Sequence, residues 1–318
     1  MRVYGPGLTT AFAKSFSRGA VLCALILCGC HGDPAAPPPG TSGLWARYTP
    51  FRWTHDGSPY RSAFFTVYSD AAPDAVKRQV GEIADTCWAQ ILKLFDVDDS
   101  TTFRYPPGAS RLEIYINRNH EEGINWAYWG GFIITIRAAE ITGHRHDYVV
   151  YTVAHELTHD LEFLIEGRED LGTDVWFKEG IATFIGCLES TAFRTIRSLS
   201  ELDSWIAQNR DVPGGGNPIA IHQDSDYPPE ADRNQYYRLF ELALRYLLDE
   251  QGAGRSVQDV RDVFVDLSDG IPFPVSFRER FGMDVDDFEA GFFDHVRSYL
   301  SPVAALTLAT GRVETGRP

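Results

Sequence analysis

Two histidines stand four residues apart, with a glutamate directly after the first, in the run VVYTVAHELTHDLEF from Val149 to Phe163. The three residues are His155, Glu156 and His159. On a helix, H-E-x-x-H brings two imidazoles to one side, where they can share a divalent cation. With His155 at zero and about 100° per residue, His159 falls about 40° away and Glu156 about 100° away. Val150, Val153, Leu157, Leu161 and Leu164 gather at roughly 160–240°, on the opposite side. The helix is therefore expected to bury its Val/Leu side and to turn both histidines toward a metal or toward a solvated face.

A third ligand follows in WFKEGIATF, Trp176 to Phe184. Glu179 is a carboxylate at the start of the next helical pattern. Gly180 costs a helix roughly 1 kcal/mol against Ala, which makes sense where that helix must cross close to another. Two histidines and one carboxylate leave a fourth position on zinc open, the catalytic arrangement. A structural site would want four protein ligands, usually with cysteines. In this reading His155, His159 and Glu179 bind Zn²⁺, which lowers the pKa of a bound water and polarises a carbonyl. Glu156 is the general base, passing the water's proton to the leaving amine.

The elements that must position these groups are legible upstream and downstream. SAFFTVYSD (62–70) and RLEIYINR (111–118) read as strands. Between them, Val76, Val80, Ile83, Cys87, Ile91 and Leu94 fall at helical spacing, with Asp74 in the first turn. YWGGFIITIRAAE (128–140) reads as a third strand, with Gly130–Gly131 marking a bulge or a close backbone approach. From Asp147 the pattern turns helical, with stretches near 148–166, 175–188, 198–209, 233–251, 256–267 and 284–299. The long Gly/Pro-rich segment 211–232 is either disordered or lies over a functional cleft. The expected fold class is α+β: a small mixed N-terminal sheet with a helix on one face (44–145), then a mainly helical catalytic lobe (146–302). The zinc site is expected in the cleft between them, and 303–318 is expected to be a loose tail.

HELTH (His155–His159) and WFKEGIA (Trp176–Ala182), at this spacing, resemble the gluzincin zinc metallopeptidases. The order FFTVYSD, APDAVKRQV…KLFDV, RLEIYINR and GGFIITI is similar to that of bacterial peptidase-MA-like domains. So are the later segments QYYRLFELALRYLLDE and FRERFGMDVDDFEAGF. The resemblance covers about residues 60–300. It implies an oxyanion-stabilising tyrosine on the later helix, best matched by Tyr237, with Tyr236 the second choice; a tyrosine packed only in the core is the alternative. It implies an edge strand, here Gly130, Gly131, Phe132 and Ile133 onward, that pairs with an extended protein or peptide substrate by β-augmentation. An ordinary core strand is the alternative. Where many gluzincins carry an acid one turn after the glutamate ligand, this chain has Thr183. Asp160, Asp147 or Glu189 could orient a zinc histidine instead. No G-x-M-E-N stretch is present, which favours an endopeptidase over an aminopeptidase. His222, in the long segment, could line the cleft, whereas His144, His146 and His295 read as loop or structural residues.

Arg2, Lys14 and Arg18 precede the apolar run GAVLCALIL (19–27), so residues 1–29 read as an export signal. LCGC resembles a bacterial lipobox that would lipidate Cys30; an ordinary secretory signal is the alternative. Residues 30–43 are a Pro/Gly-rich tether. Together these imply an exported, lipid-anchored protein of the bacterial cell envelope. The chain carries a formal charge of -15, or -18 without residues 1–29, which hold three basic and no acidic residues. Such acidity argues against nucleic acid and anionic lipid head groups as partners. Cys87 and Cys187 could pair in an oxidising compartment or remain buried thiols. The chain is expected to act as a monomer.

Two other classes compete. A catalytically inactive, peptide- or partner-binding envelope lipoprotein would keep the fold and lose the chemistry, and would have little use for Glu156. A zinc scavenger would usually carry His-rich tracts, and the sequence has none.

Overall fold

A computed structural model of the chain describes residues 58–69, 72–98, 103–106, 108–117, 125–135, 146–168, 172–189, 222–223, 226, 233–248 and 253–299. The expected signal, Cys30, the tether, the helix over 198–209, most of 211–232 and the tail lie outside the described residues.

Within them the fold is mixed α+β, with a five-stranded sheet and seven helices. The strands are β1 (Tyr60–Arg61), β2 (Phe65–Ser69), β3 (Leu112–Asn117), β4 (Trp126–Tyr128) and β5 (Gly131–Thr135). Their order is β1-β2-β3-β5-β4, with β2, β3 and β5 parallel and the outer two strands antiparallel to their neighbours. Val67 pairs with Ile114, and Ile114 with Phe132, so the apolar positions of three strands form one row across the sheet. With Phe65, Leu112, Ile116 and Ile134 they make a fully buried apolar side, as period-two patterning requires.

The third expected strand is corrected. It is a hairpin, in which β4 and β5 are joined by a turn at Trp129–Gly130. Gly130 has φ +105°, a conformation L side chains rarely adopt. At Gly131 a Cβ would stand 2.0 Å from the Glu113 carbonyl oxygen, so this glycine marks a close approach to β3 and not a bulge.

Helix α1 (Asp74–Phe95) begins after Pro73 with Asp74 in its first turn, and ends where Asp96 turns left-handed at φ 52°. It packs on β1 and β2. Helix α2 (His146–Glu166) packs on α1, β4 and β5, and on α3 (Val175–Glu189). Every residue from Tyr151 to Glu162 is buried. The solvated face that could have explained the histidines therefore does not exist, because α2 is covered on all sides.

Helices α4 (Arg233–Leu248), α5 (Val257–Ser268), α6 (Phe273–Phe281) and α7 (Val285–Tyr299) complete the lobe. Helix α5 starts in a capping box: Ser256 Oγ accepts from the Asp259 amide at 3.2 Å, and the Ser256 amide donates to Asp259 Oδ2 at 2.8 Å. Helix α6 was not expected. Pro272 precedes it and Pro274 lies in its first turn, where proline is at home. Phe273, Phe277 and Phe281, four apart, bury one face of it. Cys87 (α1) and Cys187 (α3) are both buried and are not bridged to each other. Of the two alternatives, a bridge or buried thiols, the structure has the buried thiols. No helix among the described residues is long and apolar enough to cross a membrane.

Candidate metal centre

The position of Glu179 is set by the N-terminal end of α3. Trp176 stacks on Phe288 at 5.3 Å, and Phe177 sits among Phe264, Phe273, Phe277 and Phe281. Gly180 lets α3 approach α4: a Cβ there would meet the Phe240 carbonyl oxygen at 2.7 Å and Leu244 Cδ2 at 2.5 Å. Gly186 does the same against Tyr151 of α2. With both crossings this tight, the carboxylate of Glu179 is directed at the histidines of α2.

His155 Nε2 lies 3.4 Å from Glu179 Oε2, and His159 Nε2 lies 3.5 Å from the same oxygen. These separations exceed those of a good N–H···O hydrogen bond, roughly 2.7–3.2 Å. Ligands about 2.0–2.1 Å from a tetrahedral zinc stand roughly 3.4 Å apart. The donor set therefore fits a zinc-sized ion better than it fits a hydrogen-bonded triad. One ligand atom from each residue lies within 4.8 Å of the others. Exposure is 0% for His155, 3% for His159 and 1% for Glu179.

The electrostatics agree with a ligand role. Burial depresses the pKa of His155, against the pull of Glu179, and so favours the neutral imidazole that binds metal. Burial opposes ionisation of Glu179, but His159 and His155 overcome it and hold the carboxyl well below its usual range.

Glu156 is 0% exposed, and neither of its carboxylate oxygens has a hydrogen-bond partner among the described residues. Burial pushes its pKa up to about 8, and the Glu179 charge adds to the rise. His159 and the Ala127 amide pull it down, the amide at a geometry short of a hydrogen bond. An acid so enclosed and so poorly satisfied costs stability, and has no packing reason to be there.

Glu162 Oε2 approaches His159 Nδ1 at 3.4 Å, a long contact on the side of the ring away from Glu179. Sequence reasoning missed it, looking to Asp160, Asp147 or Glu189. The available signal was the i,i+3 spacing on the helix already identified. The side chains of Asp147 and Glu189 lie outside the described residues, while Asp160 and Thr183 are buried. Tyr237, on α4, places its ring 6.0 Å from that of His155. Tyr236 packs on Phe240, and burial pushes its pKa up to about 12. Of the two tyrosines, Tyr237 is the one in ring contact with His155.

Gly131, Phe132 and Ile133 belong to an interior strand. β5 is paired with β3 on one side and β4 on the other, and the side chain of Phe132 is in the core. Among the described strands β4 is the outermost on this side, and Ala127 of that strand lies beside Glu156. The edge-strand reading of Gly130–Ile133 is corrected accordingly, because the hairpin adds one more strand outside it. His222 is not at this centre; it pairs with Asp174, its Nδ1 2.9 Å from Asp174 Oδ2.

No protein-family model matches this sequence, and no curated protein matches it.

Proposed function

We propose that the chain is a zinc-dependent peptidase of the gluzincin type, hydrolysing peptide bonds as an endopeptidase, with its centre in the cleft between sheet and helical lobe. One observation carries the reading. A fully buried, unsatisfied Glu156 adjoins a two-histidine, one-carboxylate set whose spacing fits a tetrahedral ion. His155, His159 and Glu179 would hold the zinc. When bound, zinc supplies Lewis acidity toward a water and a carbonyl oxygen.

The chain's own residues supply the rest. A dication nearby favours the carboxylate form of Glu156, which accepts the proton of the attacking water and returns it to the leaving nitrogen. Glu162 fixes the His159 ring through Nδ1. Tyr237 donates its phenolic O–H to the carbonyl oxygen as charge develops there. The backbone of β4, outermost among the described strands on this side and beside Glu156, pairs with an extended peptide. An export signal and a lipid on Cys30 would place this activity in the cell envelope. The resemblance of HELTH and WFKEGIA to gluzincins supports the class of reaction.

The test is cleavage of an unstructured protein such as casein by the purified chain. Cleavage that a chelator stops and added zinc restores is the expected result. Cleavage indifferent to chelator, or none with one zinc bound, would contradict the proposal.

A further inference from the structure

A second group of metal-ligating side chains shares no residue with the first and has no part in the proposed reaction. Asp174 immediately precedes α3, where its carbonyl accepts from the amides of Phe177 and Lys178 at 3.0 and 3.2 Å. His222 comes from the segment between α3 and α4, and its carbonyl accepts from the Val175 amide at 3.2 Å. Glu289 lies in the second turn of α7. One ligand atom from each of the three residues lies within 4.8 Å of the other two.

The charges do not balance. His222 Nδ1 is 2.9 Å from Asp174 Oδ2 and 3.9 Å from Glu289 Oε1. Glu289 is only 5% exposed, and its Oε1 makes no hydrogen bond among the described residues. Asp286 adds negative charge toward Asp174 and Glu289, and Asp226 adds it toward His222. The Asp226 carboxylate is itself held by the amides of His222 and Gln223, each at 3.0 Å. His222 faces several carboxyl groups, and one of them, Glu289, is buried with an oxygen left unsatisfied; burial pushes its pKa up to about 7. Burying its charge without a full partner is costly, whereas a dication would neutralise the excess and engage the free oxygen.

We propose that Asp174, His222 and Glu289 form a second, structural binding site for a divalent transition-metal ion of the zinc class. The imidazole nitrogen argues for zinc over calcium or magnesium, which prefer oxygen ligands alone. The ion would staple His222 to α7 and to the start of α3, the helix that carries Glu179. The site stands independently of the peptidase reading: no group of either cluster appears among the charges that shift the other.

The test is zinc stoichiometry of the full chain after equilibrium dialysis, with circular dichroism to confirm folding. Wild type is expected to bind two equivalents. H222A and D174N are each expected to bind one. H155A/H159A is expected to keep one, which an added H222A removes. If only the second site bound zinc, wild type would hold one equivalent and H222A none; that would sink the peptidase reading and support this one. Equal zinc content in wild type and folded H222A would overturn the second site. Calcium binding that is abolished by H222A, with no zinc bound there, would overturn the assigned class of ion.

Discussion

His155 Nε2 and Glu179 Oε2 stand 3.4 Å apart although they belong to different helices, and His159 Nε2 stands 3.5 Å from the same oxygen. One carboxylate oxygen thus faces two imidazole nitrogens, each at a separation that suits shared coordination. Helix α2 brings the histidines through one turn of spacing. Helix α3 brings the glutamate through two glycine crossings and an aromatic anchor.

Glu162 Oε2 lies 3.4 Å from the far nitrogen of His159, so it bears on how well the ring would be oriented as a ligand. Loss of such an outer partner typically costs 10–100-fold in metal affinity. E162Q is therefore expected to weaken zinc binding by roughly that factor, read by competition with a chromophoric chelator. Unchanged affinity would mean that the ring is oriented by packing alone.

Gly180 and Gly291 are both helical glycines in very different surroundings. In G180A the new methyl would meet backbone at Phe240 and the side chain of Leu244. Overpacking of that kind costs about 1–3 kcal/mol, against a propensity gain of about 1 kcal/mol. A net loss of stability, together with weaker zinc binding through a displaced Glu179, is expected. At Gly291 nothing lies within 4 Å of a new Cβ, so G291A should gain about 0.5–1 kcal/mol. Urea denaturation of the two variants checks both signs.

The parts of this molecule that were legible in the sequence are those with a strong local period. The apolar row of α1, the alternation of β2 and β3, and the spacing of His155, Glu156 and His159 all survive as read. Gly180 declared a close crossing before the partner helix was known, because a glycine inside a helix needs such a reason. What was not legible depended on contacts distant in the chain. The β4–β5 hairpin hid inside one apolar run, since Trp129–Gly130 carries only one turn-forming residue. Helix α6 hid behind its prolines. The burial of α2 on every side could not be read from α2 itself, because its polar residues face other elements and not water. The pairing of His222 with Asp174 and Glu289 joins three segments that no spacing rule connects.

Tyr237 and Tyr236 are adjacent on α4, but only Tyr237 is seen in ring contact with His155. Removal of one oxyanion donor commonly lowers kcat by about 10²–10³. Y237F is expected to fall in that range with KM little changed, and Y236F is expected to lie within a few-fold of wild type. Steady-state kinetics on a fluorogenic peptide would separate them, and the reverse ranking would move the oxyanion role to Tyr236.

Asp266 ties α5 to α6. It accepts from Arg280 Nε and from Ser276 Oγ, each at 2.7 Å. The hydrogen bond from Arg280 comes first among the causes that hold its carboxyl below the usual range. A folded-state pKa below the unfolded value of about 3.9 gives stability that is complete above that value. It is lost as pH falls through the folded pKa. D266N should cost about 1–2 kcal/mol at pH 7. The gap between the variant and wild type should narrow below about pH 4. Thermal unfolding at pH 7 and pH 3 measures it, and an equal gap at both would show that charge is not what matters there.

The proposed function requires Glu156 to do chemistry at a metal held by its neighbours. The most direct measurement compares E156Q with wild type for casein cleavage and bound zinc on the same preparations. Zinc content is expected to be unchanged and cleavage to fall by about 10²–10⁴-fold or more. Wild-type cleavage in a zinc-loaded E156Q protein would contradict that requirement.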